Sequence, residues 1–151
     1  MLPDRQKLPH GIPPWVREGA VFFITVSCAK RGDNQLCLAE TAGGLFEAIA
    51  FRHRKREWWV RLFLLMPDHC HALISFSREV SMKASISNWK RFTSRNLNID
   101  WQRDFFDHRV RNVDFLQEKE SYIMMNPVRK GLCERPEDWS YCWRAPDFEG
   151  S

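Results

Sequence analysis

Apolar positions change period several times along this chain, and each change marks an element. From Val21 to Ala29 (VFFITVSCA) β-branched and aromatic residues run together. They end in the turn-prone Lys30-Arg31-Gly32-Asp33-Asn34, which predicts a strand followed by a basic loop. Leu38 to Arg56 places Leu45, Ile49 and His53 at helical spacing and closes on Arg52, Arg54, Lys55 and Arg56, charges that suit a helix C-terminus. The Gly43-Gly44 pair costs that helix about 2 kcal/mol of propensity, so packing must supply its stability. Glu57 to Met66 (EWWVRLFLLM) is a near-continuous apolar strand, Pro67-Asp68 a tight turn, and His69 to Phe76 (HCHALISF) the returning partner of a hairpin. A second helix fits Ser81 to Asn96, with Met82, Ile86, Trp89 and Thr93 on one face and Lys83, Lys90, Arg91 and Arg95 on the others. Trp101 to Val110 is aromatic without a clear period. A third helix is expected from Asp114, as N-cap, toward Asn126, with Pro127 ending or kinking it. Gly131 to Ser151 reads as a short cap with a frayed tail.

Strand, helix, strand, strand, helix, helix, joined by short links, predicts the α+β class: an antiparallel sheet with helices packed on it. Residues 1–19, with Pro3, Pro9, Pro13 and Pro14, read as an extended arm, and residues 20–151 as a single domain without internal repeats. At 151 residues the chain is long enough to bury a sizeable core.

Composition narrows the function classes. Lys and Arg number 23 against 19 Asp and Glu, a net charge of +4 that permits an anionic partner without demanding one. No apolar run is long enough to span a membrane and the N-terminus lacks a signal-peptide layout, so a cytosolic protein without membrane contact is expected. The five cysteines form no C-x-x-C pair and are expected to be small core residues rather than disulfide or zinc ligands. Of twenty aromatic rings, eleven Phe, seven Trp and two Tyr, only the tyrosines carry a hydroxyl.

The chemistry concentrates in two places. His69 and His71 stand two residues apart on a predicted strand and therefore share a face, while Cys70, Ala72, Ile74 and Phe76 face the other way. Two same-face imidazoles can hold a divalent ion with positions left open for substrate; equally, they can be a hydrogen-bonded pair. Tyr122 and Asn126, four apart on the third helix, share a face, so the amide oxygen could complete a metal site beside the phenol. The same residues also read as a packed helix end before a proline. Lys30 and Arg31, Lys90, Arg91 and Arg95, Arg109 and Arg111, and Arg129 and Lys130 could form a phosphate-binding rim, although each singly reads as a solvated charge. Tyr141, within Trp139-Ser140-Tyr141-Cys142-Trp143, reads as packing.

The segments FFITVSC, LLMPDHCHALISF, WKRFTSRNLN, FFDHRVRN and SYIMMNPVRKGLCERPEDWSYCWR, in this order, resemble the REP-associated tyrosine transposases, single-strand transposases of the His-hydrophobe-His class. The resemblance spans about Ala20 to Arg144 and rests on M-P-x-H-x-H-x-L and Y-I-x-x-N-P-V-[RK]-x-G occurring together. It implies a ferredoxin-like or RRM-like sheet with the histidines on a central strand. It further implies Tyr122 as nucleophile, His69, His71 and Asn126 as metal ligands, and single-stranded, hairpin-forming DNA as the partner of a monomer or homodimer. Cys70 stands where the family has a bulkier hydrophobe; His108 matches a recurring histidine of no derived role. A phenol is a weak nucleophile at neutral pH, so Mg²⁺ or Mn²⁺ activating the phosphate fits this chemistry, imidazole ligands favouring Mn²⁺. The expected reaction is cleavage and rejoining of DNA through a 5′-phosphotyrosine. The alternative is an RRM-like nucleic-acid-binding module without catalysis.

Overall fold

The computed structural model describes residues 13–146. His10, most of the expected N-terminal arm and the last five residues of the tail lie outside the described residues. The elements are β1 (Val21–Ser27), α1 (Ala39–Arg54), β2 (Trp58–Met66), β3 (His69–Phe76), α2 (Met82–Leu97), β4 (Phe106–Val110), α3 (Val113–Arg129) and β5 (Cys142–Arg144). All strand pairs are antiparallel, in the order β4-β1-β3-β2-β5. The first four strands follow the ferredoxin-like order expected from the sequence, with β3 between β1 and β2, and β5 adds a fifth to one edge.

Both faces of this sheet are covered. On one side Ala42, Leu45, Ala48 and Ile49 of α1 and Ile86 and Trp89 of α2 pack on Ile24, Val26, Cys70, Ala72, Ile74 and Phe76. On the other, Leu116 and Ile123 of α3 pack on Val21, Phe23, Leu62, Leu64, Met66 and Leu73. Two-sided burial explains why β2 is apolar almost throughout. A bulge between Val60 and Leu62 flips the alternation midway. Trp58 and Val60 therefore face α1 and α2 with Phe63 and Leu65, while Leu62, Leu64 and Met66 face α3.

Local chemistry sets the helix ends. Ser81 caps α2 by accepting from the Ala84 N–H, 3.1 Å away. The expected Asp114 cap of α3 is corrected: Asn112 holds that position, its side-chain oxygen accepting from Phe115 N–H at 3.0 Å, and Asp114 lies in the first turn. Of the two expectations for Pro127, that it ends the helix is corrected: α3 runs on to Arg129. The proline sits within the last turn, where a missing N–H forfeits one bond, and Leu132 N–H returns to its carbonyl at 2.8 Å. Gly131, at φ 75°, supplies the left-handed residue that closes the end.

Two strands were not legible as such. Phe106–Val110, within the aromatic stretch, pairs along β1, and Cys142–Arg144, read as part of a cap, pairs with β2. The cysteine expectation divides: Cys28, Cys37 and Cys70 are buried, with burial pushing the first two thiols up to about 11 and about 12, whereas Cys133 and Cys142 are only partly covered. Tyr141 packs edge-on against Trp139 at 5.3 Å, as its aromatic neighbours suggested. Among the described residues no helix is long and apolar enough to cross a membrane.

The glycine pair of α1 separates into two cases. A Cβ on Gly44 would come within 2.5 Å of Leu97 Cδ2, so this glycine lets α1 and α2 approach, whereas nothing lies within 4 Å of the corresponding point on exposed Gly43. Gly43→Ala is expected to stabilise the protein by about 0.5–1 kcal/mol. Gly44→Ala should give a smaller gain or a loss because Leu97 must move. Urea midpoints of the two variants check this, and an equal gain in both would contradict the close approach.

Candidate active site

Strand β3 leaves the Pro67-Asp68 turn with His69 and His71 on the face that α3 covers. Their rings lie 4.9 Å apart, centroid to centroid. His71 is buried, at 8% exposure, so its ring depends largely on protein partners. Register places Thr25 of β1 directly opposite, and Thr25 Oγ1 lies 2.9 Å from His71 Nδ1. Phe23, two residues earlier, stacks on the His71 ring at 5.6 Å and 16°. Burial, then the nearby His69 and Arg129, push the His71 imidazolium down to about 3, so this ring is neutral at physiological pH.

His69 is held differently. Its Nδ1 lies 2.7 Å from Asp68 Oδ1, and Asp68 Oδ2 accepts from Gly32 N–H at 2.8 Å and Arg31 Nε at 3.0 Å. A carboxylate only accepts, so His69 Nδ1 carries the hydrogen. Burial alone would raise the Asp68 carboxyl; the bonds from Gly32, His69 and Arg31 outweigh it and hold the acid well below the usual carboxylate range. One side chain thereby joins the basic loop after β1 to the first histidine.

The third component arrives on α3. Tyr122 is half exposed, its ring 6.4 Å from His71 and 6.3 Å from Phe23. Asn126 follows one turn later on the same face and is buried. The guanidinium of Arg129 lies 4.4 Å from the Tyr122 ring centroid and donates from Nη2 to the Tyr122 carbonyl. Further up the helix, Glu120 ties α3 to the sheet. Its Oε2 accepts from Arg144 Nη1 of β5 at 2.6 Å, and its Oε1 from Arg61 Nε of β2 at 3.3 Å. Burial works to raise the Glu120 carboxyl, and the Arg144 hydrogen bond with the Arg61 and Arg144 charges outweighs it, leaving the group below its ordinary value.

His69, His71, Tyr122 and Asn126 thus converge on one side of the sheet. Arg129 joins them, and Arg31, His69 and Lys130 line a neighbouring cleft of about 250 Å³. The other basic candidates are dispersed. Lys90, Arg91 and Arg95 belong to α2, on the opposite layer. Lys90 Nζ is occupied by the carbonyls of Gln102 and Arg103 at 2.6 and 2.8 Å, fastening the approach to β4. Lys30 pairs with Asp33, Arg109 lies 3.7 Å from Glu18 on the α1–α2 face of the sheet, and exposed Arg111 follows β4. Asp68 and Thr25 carry no signal in the sequence alone, because their importance follows from a turn geometry and a strand register.

The donor set suits a divalent cation. With Nδ1 of both rings engaged, each Nε2 is the remaining ligand atom, and this use of the second nitrogen is what orients metal-binding histidines. Among the described residues no cluster of three or more His, Cys, Asp and Glu exists, and Asn126, buried on α3, could offer an amide oxygen on the same side of the sheet.

Comparison with known proteins places the site in context. Residues 25–124 match the family model described as IS200-like transposase. The chain is 26% identical over 129 residues to a REP-associated tyrosine transposase of Escherichia coli K12, covering 82% of this chain and 76% of that protein. The fold is similar to a solved REP-associated tyrosine transposase bound to a REP hairpin, with a TM-score of 0.73, 23% identity and coverage of 86% of this chain and 79% of that one.

The Glu120 clamp gives a pH signature. A carboxylate with a depressed folded pKa contributes stability that is present above its unfolded pKa and is lost as pH falls through the folded value. Glu120→Gln should cost roughly 1 kcal/mol at pH 7. The gap to wild type should close as pH falls below about 4. Thermal unfolding of both proteins at pH 7, 5 and 3 checks it; a gap independent of pH would rule out an ionised clamp.

Proposed function

Because the chain belongs to the IS200-like transposase family, we propose that it cleaves and rejoins single-stranded, hairpin-forming DNA of the REP type, with Tyr122 as nucleophile. The observation that carries this reading is the arrival of a half-exposed tyrosine 6.4 Å from a buried, neutral histidine whose neighbour two residues back shares its face.

The proposed step is a transesterification. The Tyr122 phenolic oxygen attacks the scissile phosphorus, the Oη–P bond forms, the P–O3′ bond breaks, and the leaving 3′-oxygen takes up a proton. The products are a 5′-phosphotyrosine and a free 3′-OH. The reverse attack by a 3′-OH restores a phosphodiester and the phenol, so the link conserves the bond energy and no nucleotide triphosphate is required. The chain accordingly has no G-x-x-x-x-G-K-[ST] sequence.

His69, His71 and Asn126 would hold Mn²⁺ or Mg²⁺, which when bound polarises the phosphate and neutralises charge developing on it. Asp68 fixes the His69 imidazole in the tautomer that leaves Nε2 available, and Thr25 holds the His71 ring through its Nδ1. Arg129, 4.4 Å from the Tyr122 ring centroid, would supply a fixed positive charge beside the nucleophile's ring for an incoming phosphate. The wall formed by Phe23 keeps water from the His71 side.

Tyr122→Phe is expected to abolish any denaturation-resistant protein–DNA adduct with a hairpin oligonucleotide while binding persists in a gel-shift assay. A surviving adduct would remove Tyr122 from its role, and binding without an adduct in wild type would favour a recognition module without chemistry. His69→Ala and His71→Ala should eliminate Mn²⁺-dependent cleavage. Asp68→Asn, which leaves both ligands in place, should weaken Mn²⁺ binding measured by calorimetry on the order of ten- to a hundred-fold; unchanged affinity would show that Asp68 does not orient the ligand.

A further inference from the structure

The face of the sheet that carries the histidines is only partly roofed. Helix α3 packs over β2 and β3 and covers Val21, Phe23 and Val110 as well, so that on this face exposure is concentrated at the start of the edge strand β4. Two side chains stand there. Phe106 lies directly across from Thr25 and His108 directly across from Phe23, so both share the face of His71. Phe106 is 56% exposed, the most exposed large hydrophobic side chain among the described residues, and His108 is also exposed. Phe106 thus keeps more than half of its surface in water at the start of an edge strand, on the face that carries the histidines.

Its surroundings indicate an occupant. Phe106, Thr25 and His71 form one row across three strands, which sets Phe106 roughly 10 Å from the histidine backbone. The Phe106 ring meets Phe23 edge-on at 6.2 Å, and Phe23 meets both His71 and Tyr122. The aromatic row is flanked by cations: Lys119 Nζ lies 5.1 Å from the Phe23 centroid, and Arg129 lies over Tyr122. A flat apolar ring beside fixed positive charge is matched by a nucleotide, whose base offers a π-face and whose phosphate offers the anion. Sheets with exposed aromatic residues bind unpaired bases in this manner.

We propose that Phe106 is a stacking platform for one unpaired nucleobase adjoining the phosphodiester cut by Tyr122, with Lys119 and Arg129 holding the backbone on either side. This rests on the transposase reading above and adds a position to it: the strand lies across the sheet toward β4 and not along α3. Phe106 discriminates by stacking, so the preference it confers is for an unpaired and splayed base over a paired one, whatever its hydrogen-bonding edge.

The test uses hairpin oligonucleotides with unpaired flanks in which 2-aminopurine replaces each flanking base in turn. Binding is read by fluorescence in the Tyr122→Phe background, where chemistry is absent. One flank position should be quenched on binding. Phe106→Ala should abolish that quenching and weaken binding on the order of ten- to a hundred-fold. Phe106→Trp should retain both and Phe106→Leu should not; circular dichroism confirms that the exposed substitution leaves the fold intact. Quenching that survives Phe106→Ala, or full rescue by leucine, would overturn the platform. The adduct assay on wild type reports separately on the transposase reading: an adduct without Phe106-dependent quenching refutes the platform alone, and Phe106-dependent quenching without an adduct refutes the chemistry alone.

Discussion

The central hairpin is buried on both faces, and this constraint governs what the rest of the molecule can be. Strands β2 and β3 have helices on either side, so every polar group placed there needs a partner. Ser75, buried on β3, has no hydrogen bond for its hydroxyl and is an ordinary cost of such a sheet. His71 is the larger exception, an ionisable ring in the same setting, and it is accommodated by the hydroxyl of Thr25, by stacking on Phe23 and by losing its charge. The burial that makes the imidazolium unfavourable makes the neutral ring, the form able to bind a cation, the stable one. A structural demand and a chemical one are met by the same three residues.

The opposite end of the site is set by backbone constraints. Pro127 in the final turn of α3 has no N–H to give, so the turn before it is held in other ways. Arg129 reaches back to the Tyr122 carbonyl, and Lys130, Gly131 and Leu132 close the end through backbone bonds. With Glu120 clamped to Arg61 and Arg144 one half-turn before the tyrosine, Tyr122 lies between two fixed points on its helix. Its ring is half exposed while its backbone is held on both sides, which leaves χ rotation as its principal freedom.

How far the sequence reveals all this depends on the range of each interaction. The hairpin, the same-face histidines and the four-residue spacing of Tyr122 and Asn126 are local, and periods of two and 3.6 express them directly. Phe106–Val110 escapes because an exposed edge strand has no apolar alternation: only Val110 of its five residues is buried. Cys142–Arg144 escapes because three residues are too few to show a period. Asn112 displaces Asp114 as the cap because two residues of similar capping chemistry stand only two positions apart, and the turn after β4 decides between them. Thr25 and Phe23 could be assigned to the site only once the β1–β3 register was known, since a slip of one residue would turn both to the opposite face.

The distribution of charge follows the same division between local and distant. Residues 39–56 and 82–97, on the layer away from Tyr122, hold eight Lys and Arg against two Glu, while residues 113–129, on the layer that carries it, hold two against three acids. The net charge of +4 therefore sits mostly behind the sheet. At physiological ionic strength charges are screened beyond about 8 Å, less than the thickness of a sheet with a helix on it. The α1–α2 cations can raise the rate at which a polyanion encounters the protein, but they do little to fix a phosphate against Tyr122. On the proposed reading that task falls to the cations of the near side, Arg129 on the tyrosine ring, Lys119 beside Phe23, and Arg31 and Lys130 about the His69 cleft. Arg31 is the most constrained of these, because Asp68 takes one of its hydrogen bonds while also holding His69. A phosphate that drew Arg31 away would loosen the first histidine, so the proposed reading requires a strand held by Arg129 and Lys119 that leaves the Asp68 bridge closed.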